Sequence, residues 1–346
     1  MRLALHGANP AEWLALRLGL VPTAAAEAWA GMGLSGIVIA AVRTGVAERL
    51  AEGPATVAEL AGELGLDPVP TQLMLHCLRS FGHVSCSGGM YRLSRSSRRW
   101  LDPRSGLSVN RYVASTADYW DWWSGLDEVT RTGKVSGSHD AAADDPYWRG
   151  YIYGQLDLAR LSAREVARKI RLPASATSLL DVGGGHGWYS AAICQRHPKL
   201  TATVLDLPGS AAIGREIIAA AGMSDRVRHR DGDATLDDLG SGYDAVLCFN
   251  LVHHLNAGHI VTLFGRIRES LSPGGTLAVM DAFAEPARRG SAAANFLAMF
   301  VYLSSGAHVH TPAELRIWLR KAGFTRPPRR VRILRIPGQA IYLVRK

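Results

Sequence analysis

Hydrophobic and polar positions follow two different rhythms along this chain. From Ser178 onward, short apolar runs alternate with longer amphipathic stretches, the pattern of strands and helices that build a parallel α/β sheet. The runs predict strands over residues 178–182, 202–206, 227–230, 245–249 and 276–281. A helix opened by Thr311-Pro312-Ala313-Glu314 and closed at Gly323 follows. Residues 329–336 and 340–344 then face each other across Pro337-Gly338 as a terminal antiparallel hairpin. In the first of these strands Arg330 and Arg332 alternate with Val331 and Ile333, so the basic and apolar side chains take opposite faces.

The first half has the helical rhythm. Thr56-Val57-Ala58-Glu59 is a capping box, in which Thr and Glu side chains satisfy each other's backbone N–H groups, and Gly65 closes that short helix. Asp67-Pro68 supplies an N-cap and an N1 proline to a second helix carrying Leu73, Leu75, Leu78 and Phe81, which stops at Gly82. Residues 83–86 and 90–93 read as short strands around Ser87-Gly88-Gly89. Helix, turn, helix and β-wing make a winged helix. Such a unit binds DNA through the start of its second helix, but here those residues are Pro68, Val69, Pro70, Thr71 and Gln72, and none can neutralise a phosphate. Arg92, Arg95, Arg98 and Arg99 lie near the wing. A packing or dimerisation module is the favoured reading.

Three segments result: 1–104, the winged-helix unit; 105–172, a helical connecting region; and 173–346, the α/β unit. The connecting region holds Tyr119, Trp120, Trp122, Trp123, Tyr147, Trp148, Tyr151 and Tyr153. Helical spacing places Tyr119 and Trp120 on one face with Trp123, which suits either a core or the lining of a small-molecule pocket.

Composition narrows the class. At 346 residues, with 47% hydrophobic and 20% charged residues, the chain is neither disordered nor collagen-like. The longest weakly polar stretch, residues 31–42, is too short to cross a bilayer, and Pro10 and Glu12 interrupt any secretory apolar segment, so a cytoplasmic protein without membrane attachment is expected. Cys77, Cys86, Cys194 and Cys248 have no CxxC spacing and read as ordinary buried thiols. The net charge of +9 first suggests nucleic acid. It is unevenly spread: residues 1–171 carry +2 and residues 172–346 carry +7, and from Arg316 to the end there are ten basic residues and no acidic one. With the winged-helix half close to neutral, no nucleic-acid partner is expected. The excess reads as the solvated face of an edge pair.

Asp181-Val182-Gly183-Gly184-Gly185-His186-Gly187 lies where the first strand of the α/β unit turns into its first helix, the place where open α/β sheets bind ligands. A dinucleotide fingerprint starting at Gly183 would need Gly at 188, where Trp188 stands, and no phosphate-loop GK[ST] is present. The string fits Asp-x-Gly-x-Gly-x-Gly instead. Asp206 ends the second strand, where an acid can take a ribose diol, and Asp233 follows the third.

The ordered set DVGGGHG, LDLP around Asp206, DGDA around Asp233, VHHL at 252–255 and SPGG at 272–275 resembles the class I S-adenosylmethionine-dependent methyltransferases. More closely, it resembles the small-molecule O-methyltransferases of caffeic-acid type and their bacterial relatives in natural-product pathways. The resemblance implies a Rossmann-like α/β domain, with a mostly parallel sheet and a terminal antiparallel hairpin, behind a mainly helical winged-helix domain through which the protein forms a homodimer. It implies S-adenosylmethionine as cofactor, with S-adenosylhomocysteine as product, and a small-molecule acceptor, aromatic or polyketide-like. Gly183 and Gly185 would pass beneath the methionine part of the cofactor. Asp206 would take the ribose hydroxyls with Leu207 beside the adenine, Asp233 and Ala234 would hold the adenine edge, and Phe249 would complete the site.

By the same resemblance His253 is the general base, His254 stands where the family usually has Asp, and Asp281 replaces a Glu that orients the base. A second orienting acid is expected near Val309, where the sequence reads Ala307-His308-Val309-His310-Thr311 and carries no carboxylate. His308 or His310 substitutes, or the acceptor needs little deprotonation. Trp120, Trp123, Tyr153, Phe296, Met299, Phe300 and His308 are the candidate acceptor-lining residues. A metal held by His253, His254, His308 and Asp281 is the alternative, but adjacent residues rarely converge on one ion, so no metal is expected. C- or N-methylation on the same fold, a non-methylating rearrangement and a winged-helix regulator are the remaining readings.

Overall fold

A computed structural model of the chain describes residue 7 and residues 9–135, 141–284, 292–335 and 339–346. The chain divides into two compact units, Met1–Ala117 and Asp118–Lys346. Residues 105–172 therefore contribute to both.

The first unit begins with α1 (Pro10–Arg17), α2 (Thr23–Arg43) and α3 (Val46–Glu52). The winged helix follows: α4 (Val57–Leu64), α5 (Pro68–Ser80), β1 (Val84–Ser87) and β2 (Met90–Leu93), then α6 (Arg95–Leu101) and α7 (Asn110–Ser115). Both halves of the Thr56–Glu59 capping box form, and Gly65 ends α4 in the left-handed conformation. Ser87 pairs with Met90 across Gly88 and Gly89, whose φ values of +56° and +78° are those of a tight hairpin turn. Leu75 and Leu78 of α5 enter a core with Val46, Leu50, Leu60, Val84 and Leu93. Leu73 and Phe81 do not; they are 60% and 49% exposed. At 100° per residue Leu73 points away from Leu75, and Phe81 lies past the last helical turn. Arg98 and Arg104 both donate to the carbonyl of Ala51 at the end of α3, so one of the wing arginines has an internal task.

The apolar stretch near the N-terminus is longer than the sequence suggests. α2 spans 21 residues with a hydropathy of 1.5, long and apolar enough to cross a membrane by length and composition. Alanines at 24–26 and 28 carry the helix back to Thr23, and Glu27 is its only charge before Arg43.

The second unit opens at the end of a 3-10 turn, Thr116–Tyr119, and continues through α8 (Trp120–Ser124), α9 (Leu126–Thr132) and α10 (Tyr147–Lys169). Next come β3 (Ser178–Val182), α11 (Trp188–Arg196), β4 (Thr201–Asp206), α12 (Pro208–Ala220), β5 (Val227–Asp231) and β6 (Tyr243–Phe249). A second 3-10 turn (Val252–His254), α13 (Ala257–Ser270), β7 (Leu271–Ala282), α14 (Ala292–Ser305), α15 (Pro312–Lys321), β8 (Arg329–Arg332) and β9 (Gln339–Arg345) complete it. The seven strands run in the order β5-β4-β3-β6-β7-β9-β8. The first five are parallel; β9 is antiparallel to both β7 and β8.

The period of two along each strand fills two layers. Leu179, Ala245, Leu247 and Phe249 face a core built with α10 and α11. Leu180, Val182, Val246 and Cys248 face the opposite core, built with α13 and α15. β8 stops at Arg332, short of the expected 336, because the Glu165 carboxylate of α10 accepts the N–H groups of Leu334 and Arg335 and diverts the chain. The turn at Pro337-Gly338 lies outside the described residues. All four cysteines are free; Cys194 and Cys248 are buried, while Cys77 and Cys86 are half-buried.

Candidate active site

The order of reversal in the sheet falls between β3 and β6, and the crevice beyond their carboxyl ends is the site. β3 leads into the glycine loop, where Gly183, Gly185 and Gly187 have φ values of +65°, +50° and +64° that only glycine adopts without strain. Gly184 is needed for a different reason: a Cβ there would lie 2.5 Å from Cγ of Asp181 and 2.7 Å from Cγ1 of Val204. Gly214 allows α12 to approach the loop, since a Cβ would lie 2.2 Å from Nε2 of His229. That nitrogen is 2.8 Å from the Gly185 carbonyl, and burial holds the His229 pKa below its ordinary value, so a neutral ring donates the bond.

Three carboxylates lie at or just beyond the carboxyl ends of β3, β4 and β5. Asp206 receives the Gly185 N–H on Oδ2 at 2.6 Å and the Leu207 N–H on Oδ1 at 2.8 Å, while burial pushes its pKa up. Asp233 Oδ1 accepts from the N–H and hydroxyl of Thr235 at 2.7 and 2.6 Å. Arg266 donates to the Ala234 carbonyl at 3.0 Å. Asp181 is fully enclosed. Ser190 donates to its Oδ2 at 2.7 Å, Oδ1 has no partner among the described residues, and burial pushes the pKa up to about 7.

A cavity of about 290 Å³ opens among these groups. All seven residues expected to bind the cofactor line it: Gly183, Gly185, Asp206, Leu207, Asp233, Ala234 and Phe249. So do Asp181, Gly184 and His186 of the loop, Trp148 and Ile152 of α10, Ser210, Thr235 and Asn250, none of which the sequence singled out for the cofactor. His186 is buried, takes the Trp188 N–H on Nδ1 at 3.0 Å and has its pKa pushed down to about 3, chiefly by burial, so it adds no charge. The cradle fits S-adenosylmethionine: close backbone passage at the glycines, buried carboxylates for hydroxyl and amine donors, and no cationic side chain among the lining residues.

The chain leaves β6 through Asn250, the one described non-glycine residue with positive φ, at +52°, and enters the 3-10 turn. The turn places the His253 ring on Asp281 at the end of the adjacent strand β7. Nδ1 lies 2.7 Å from Oδ1, and the His253 N–H lies 3.3 Å from Oδ2. The Ala282 N–H also donates to Oδ1, at 2.7 Å, so the carboxylate is held from three directions. With Nδ1–H donated to Asp281, Nε2 carries the lone pair. His254 turns to the cavity wall, its ring centroid 4.1 Å from that of His253. Among the described residues no group of three or more His, Cys, Asp or Glu side chains could hold a metal ion.

None of the candidate acceptor-lining residues borders this cavity. Tyr119 and Trp120 do not share a helical face, because the 3-10 turn ends at Tyr119 and α8 starts at Trp120. Tyr119 is buried and stacks on Trp122 at 4.9 Å; Trp120 is 44% exposed. Phe300 of α14 meets Tyr119 at 4.8 Å and Trp122 at 5.8 Å, and Phe296 meets Trp123 at 6.4 Å. Phe296 and Met299 are 57% and 42% exposed. α14 packs against both α8 and the 252–254 turn, which brings this aromatic group toward His253. Tyr153 instead lies under the Arg149 guanidinium, and Tyr151, two residues earlier, reaches the cavity. His308 is exposed; His310 is buried.

Residues 133–325 match the O-methyltransferase domain family. The chain is 28% identical to 3-hydroxy-5-methyl-1-naphthoate 3-O-methyltransferase of Streptomyces sahachiroi, over 87% of this chain and 89% of that one. It is 29% identical to the tetracenomycin polyketide synthesis 8-O-methyl transferase of Streptomyces glaucescens, over 83% and 87%. The structure of human N-acetylserotonin methyltransferase in complex with S-adenosylmethionine superposes with a TM-score of 0.84 at 21% identity, covering 99% of each chain. The family match over more than half the chain, on a glycine-loop cradle that fits the cofactor, leads to one conclusion: this chain belongs to the O-methyltransferase domain family and is an S-adenosylmethionine-dependent methyltransferase.

Proposed function

We propose that the protein O-methylates a small hydroxylated aromatic or polyketide-like molecule, with His253 as general base. The observation that carries this is the 2.7 Å contact between His253 Nδ1 and the buried Asp281 carboxylate, one residue from the cavity-lining His254. S-adenosylmethionine, when bound, supplies a methyl group on a sulfonium that a nucleophile can attack in line. Gly183, Gly184 and Gly185 give the backbone clearance to hold it, Asp206 takes its hydroxyls, and Asp233 with Ala234 takes its base edge. His253 Nε2 removes the acceptor's hydroxyl proton as the oxygen attacks. Asp281, accepting from Nδ1, keeps the ring in the tautomer that leaves Nε2 basic and stabilises the imidazolium that results. Trp123, Phe296, Met299 and Phe300 form the acceptor wall beside the turn. The acceptor class is supported by the two Streptomyces relatives, named for a hydroxynaphthoate and for tetracenomycin polyketide synthesis.

Turnover of a panel of hydroxylated naphthoates with labelled S-adenosylmethionine tests the reading. His253→Ala lowers kcat by about 10²–10⁴-fold while S-adenosylhomocysteine affinity stays unchanged. Full turnover in that variant at saturating acceptor refutes the base role. We further propose a cytoplasmic homodimer formed through the winged-helix half, without membrane or nucleic-acid partners. Trp13, Leu18 and Leu20 and, on α2, Trp29 and Met32 are all more than half exposed, an apolar surface that a second copy would cover.

A further inference from the structure

His310 lies between α14 and α15 at 2% exposure. Its Nε2 is 3.1 Å from the carbonyl oxygen of Val252 and 3.2 Å from that of Leu255. Two acceptors facing one ring nitrogen fix the tautomer: the proton sits on Nε2 and is shared between them. Nδ1 is buried without a hydrogen-bond partner among the described residues, which suits a neutral ring, since a second proton there would be stranded. Burial and then the neighbouring His308 hold its pKa below the ordinary value. The ring is wedged edge-on against Trp318 of α15, centroids 4.7 Å apart, and the Thr311–Glu314 capping box fixes the start of that helix. The His310 carbonyl accepts the Ala284 N–H at 2.9 Å, three residues beyond Asp281. One residue is thus tied through its main chain to the segment after Asp281 and through its side chain to the turn that carries His253.

Val252 and Leu255 bracket His253 and His254. We propose that His310 is a positioning residue that clamps these two carbonyls and so holds the His253 imidazole on Asp281 through the main chain. An ionised carboxylate at this point could not perform the task, because it only accepts hydrogen bonds and would face two further acceptors. The neutral imidazole supplies the donor. It replaces orientation of the base by a second acid with orientation of the turn that bears it. His308, exposed and without a hydrogen bond to His253 among the described residues, contributes only by helping to keep the His310 ring neutral. The inference rests on the reading of His253 as base, but the clamp itself is observable without turnover.

The test follows the His253 Nδ1–H proton by NMR on the full-length, histidine-labelled protein, assigned by its loss in His253→Ala. In His310→Ala that proton exchanges with solvent about tenfold faster, the change expected for losing one hydrogen bond. In His310→Gln, whose amide keeps a donor, the wild-type rate returns; in His310→Leu, which offers no donor, it does not. S-adenosylhomocysteine binding by calorimetry stays at the wild-type value in the Ala and Gln variants, because His310 does not line the cavity. An unchanged exchange rate in His310→Ala overturns the proposal. If that variant does not fold, equal rates in the Gln and Leu variants overturn it. A fully active His253→Ala, by contrast, sinks the base assignment while leaving the clamp to be judged by exchange.

Discussion

Asp181→Asn exposes the cost of a carboxylate that the glycine loop buries. Asp181 is 2% exposed, with one oxygen bonded to Ser190 and the other without a partner among the described residues, and burial raises its pKa from 3.8 to about 7. The sign follows from where the proton resides. Below pH 3.8 both folded and unfolded chains carry it, so nothing is lost. Between that value and about 7 the unfolded chain ionises while the folded one stays neutral, so folding stability falls as pH rises. The slope is about 1.4 kcal/mol per pH unit, and the loss at pH 8 totals roughly 4 kcal/mol. Urea unfolding of the cofactor-free protein at half-unit steps from pH 4.5 to 8 measures this. Asparagine has no proton to lose, so the stability difference between variant and wild type should shift steadily in the variant's favour up to pH 7 and then level off. Other groups cancel in that difference. Parallel profiles would show that Asp181 is already ionised in the fold and that the argument is wrong. A cationic ligand should pull the same proton off, so S-adenosylmethionine binding at pH 6 should release protons, and less so in Asp181→Asn.

Gly184→Ala must push a methyl against Asp181 and Val204, both buried, at a cost of about 1–3 kcal/mol. Calorimetry should show a lower Tm and weaker S-adenosylhomocysteine binding; a wild-type melt would remove the steric argument. Trp29→Glu places a charge at a site 78% exposed, which should change the stability of one copy by less than about 0.5 kcal/mol yet shift a dimer to monomer in sedimentation. A variant that still sediments as a dimer would exclude this face as the interface.

Local signals proved readable wherever the cause was local. The two capping boxes and the strand-loop-helix of residues 178–196 form as their residues dictate, because a cap or a tight loop is settled within a few residues. Readability failed where a neighbour distant in sequence intervened. The terminal hairpin's first strand is shortened by Glu165, some 169 residues earlier. Leu73 and Phe81, carried on the same expected helix as Leu75 and Leu78, are exposed because helical geometry turns Leu73 outward and leaves Phe81 beyond the helix. Helical spacing puts Tyr119 and Trp120 on one face with Trp123, but the run changes from a 3-10 turn to α8 within it, which separates Trp120 from Tyr119.

By itself, the sequence determined the family, the order of the strands along the chain and seven of the residues that line the cavity, because those motifs sit at strand ends whose position the alternation already specifies. Tertiary structure alone decided how His253 is held. His253 reaches Asp281 across 28 residues because parallel strands β6 and β7 end side by side, and His310 reaches Val252 across 58 because the segment before α15 packs beneath the turn. The missing acid was visible as an absence near Val309. Only the fold could show a neutral histidine gripping main-chain carbonyls there, since hydrogen bonds to backbone leave no pattern in side-chain spacing.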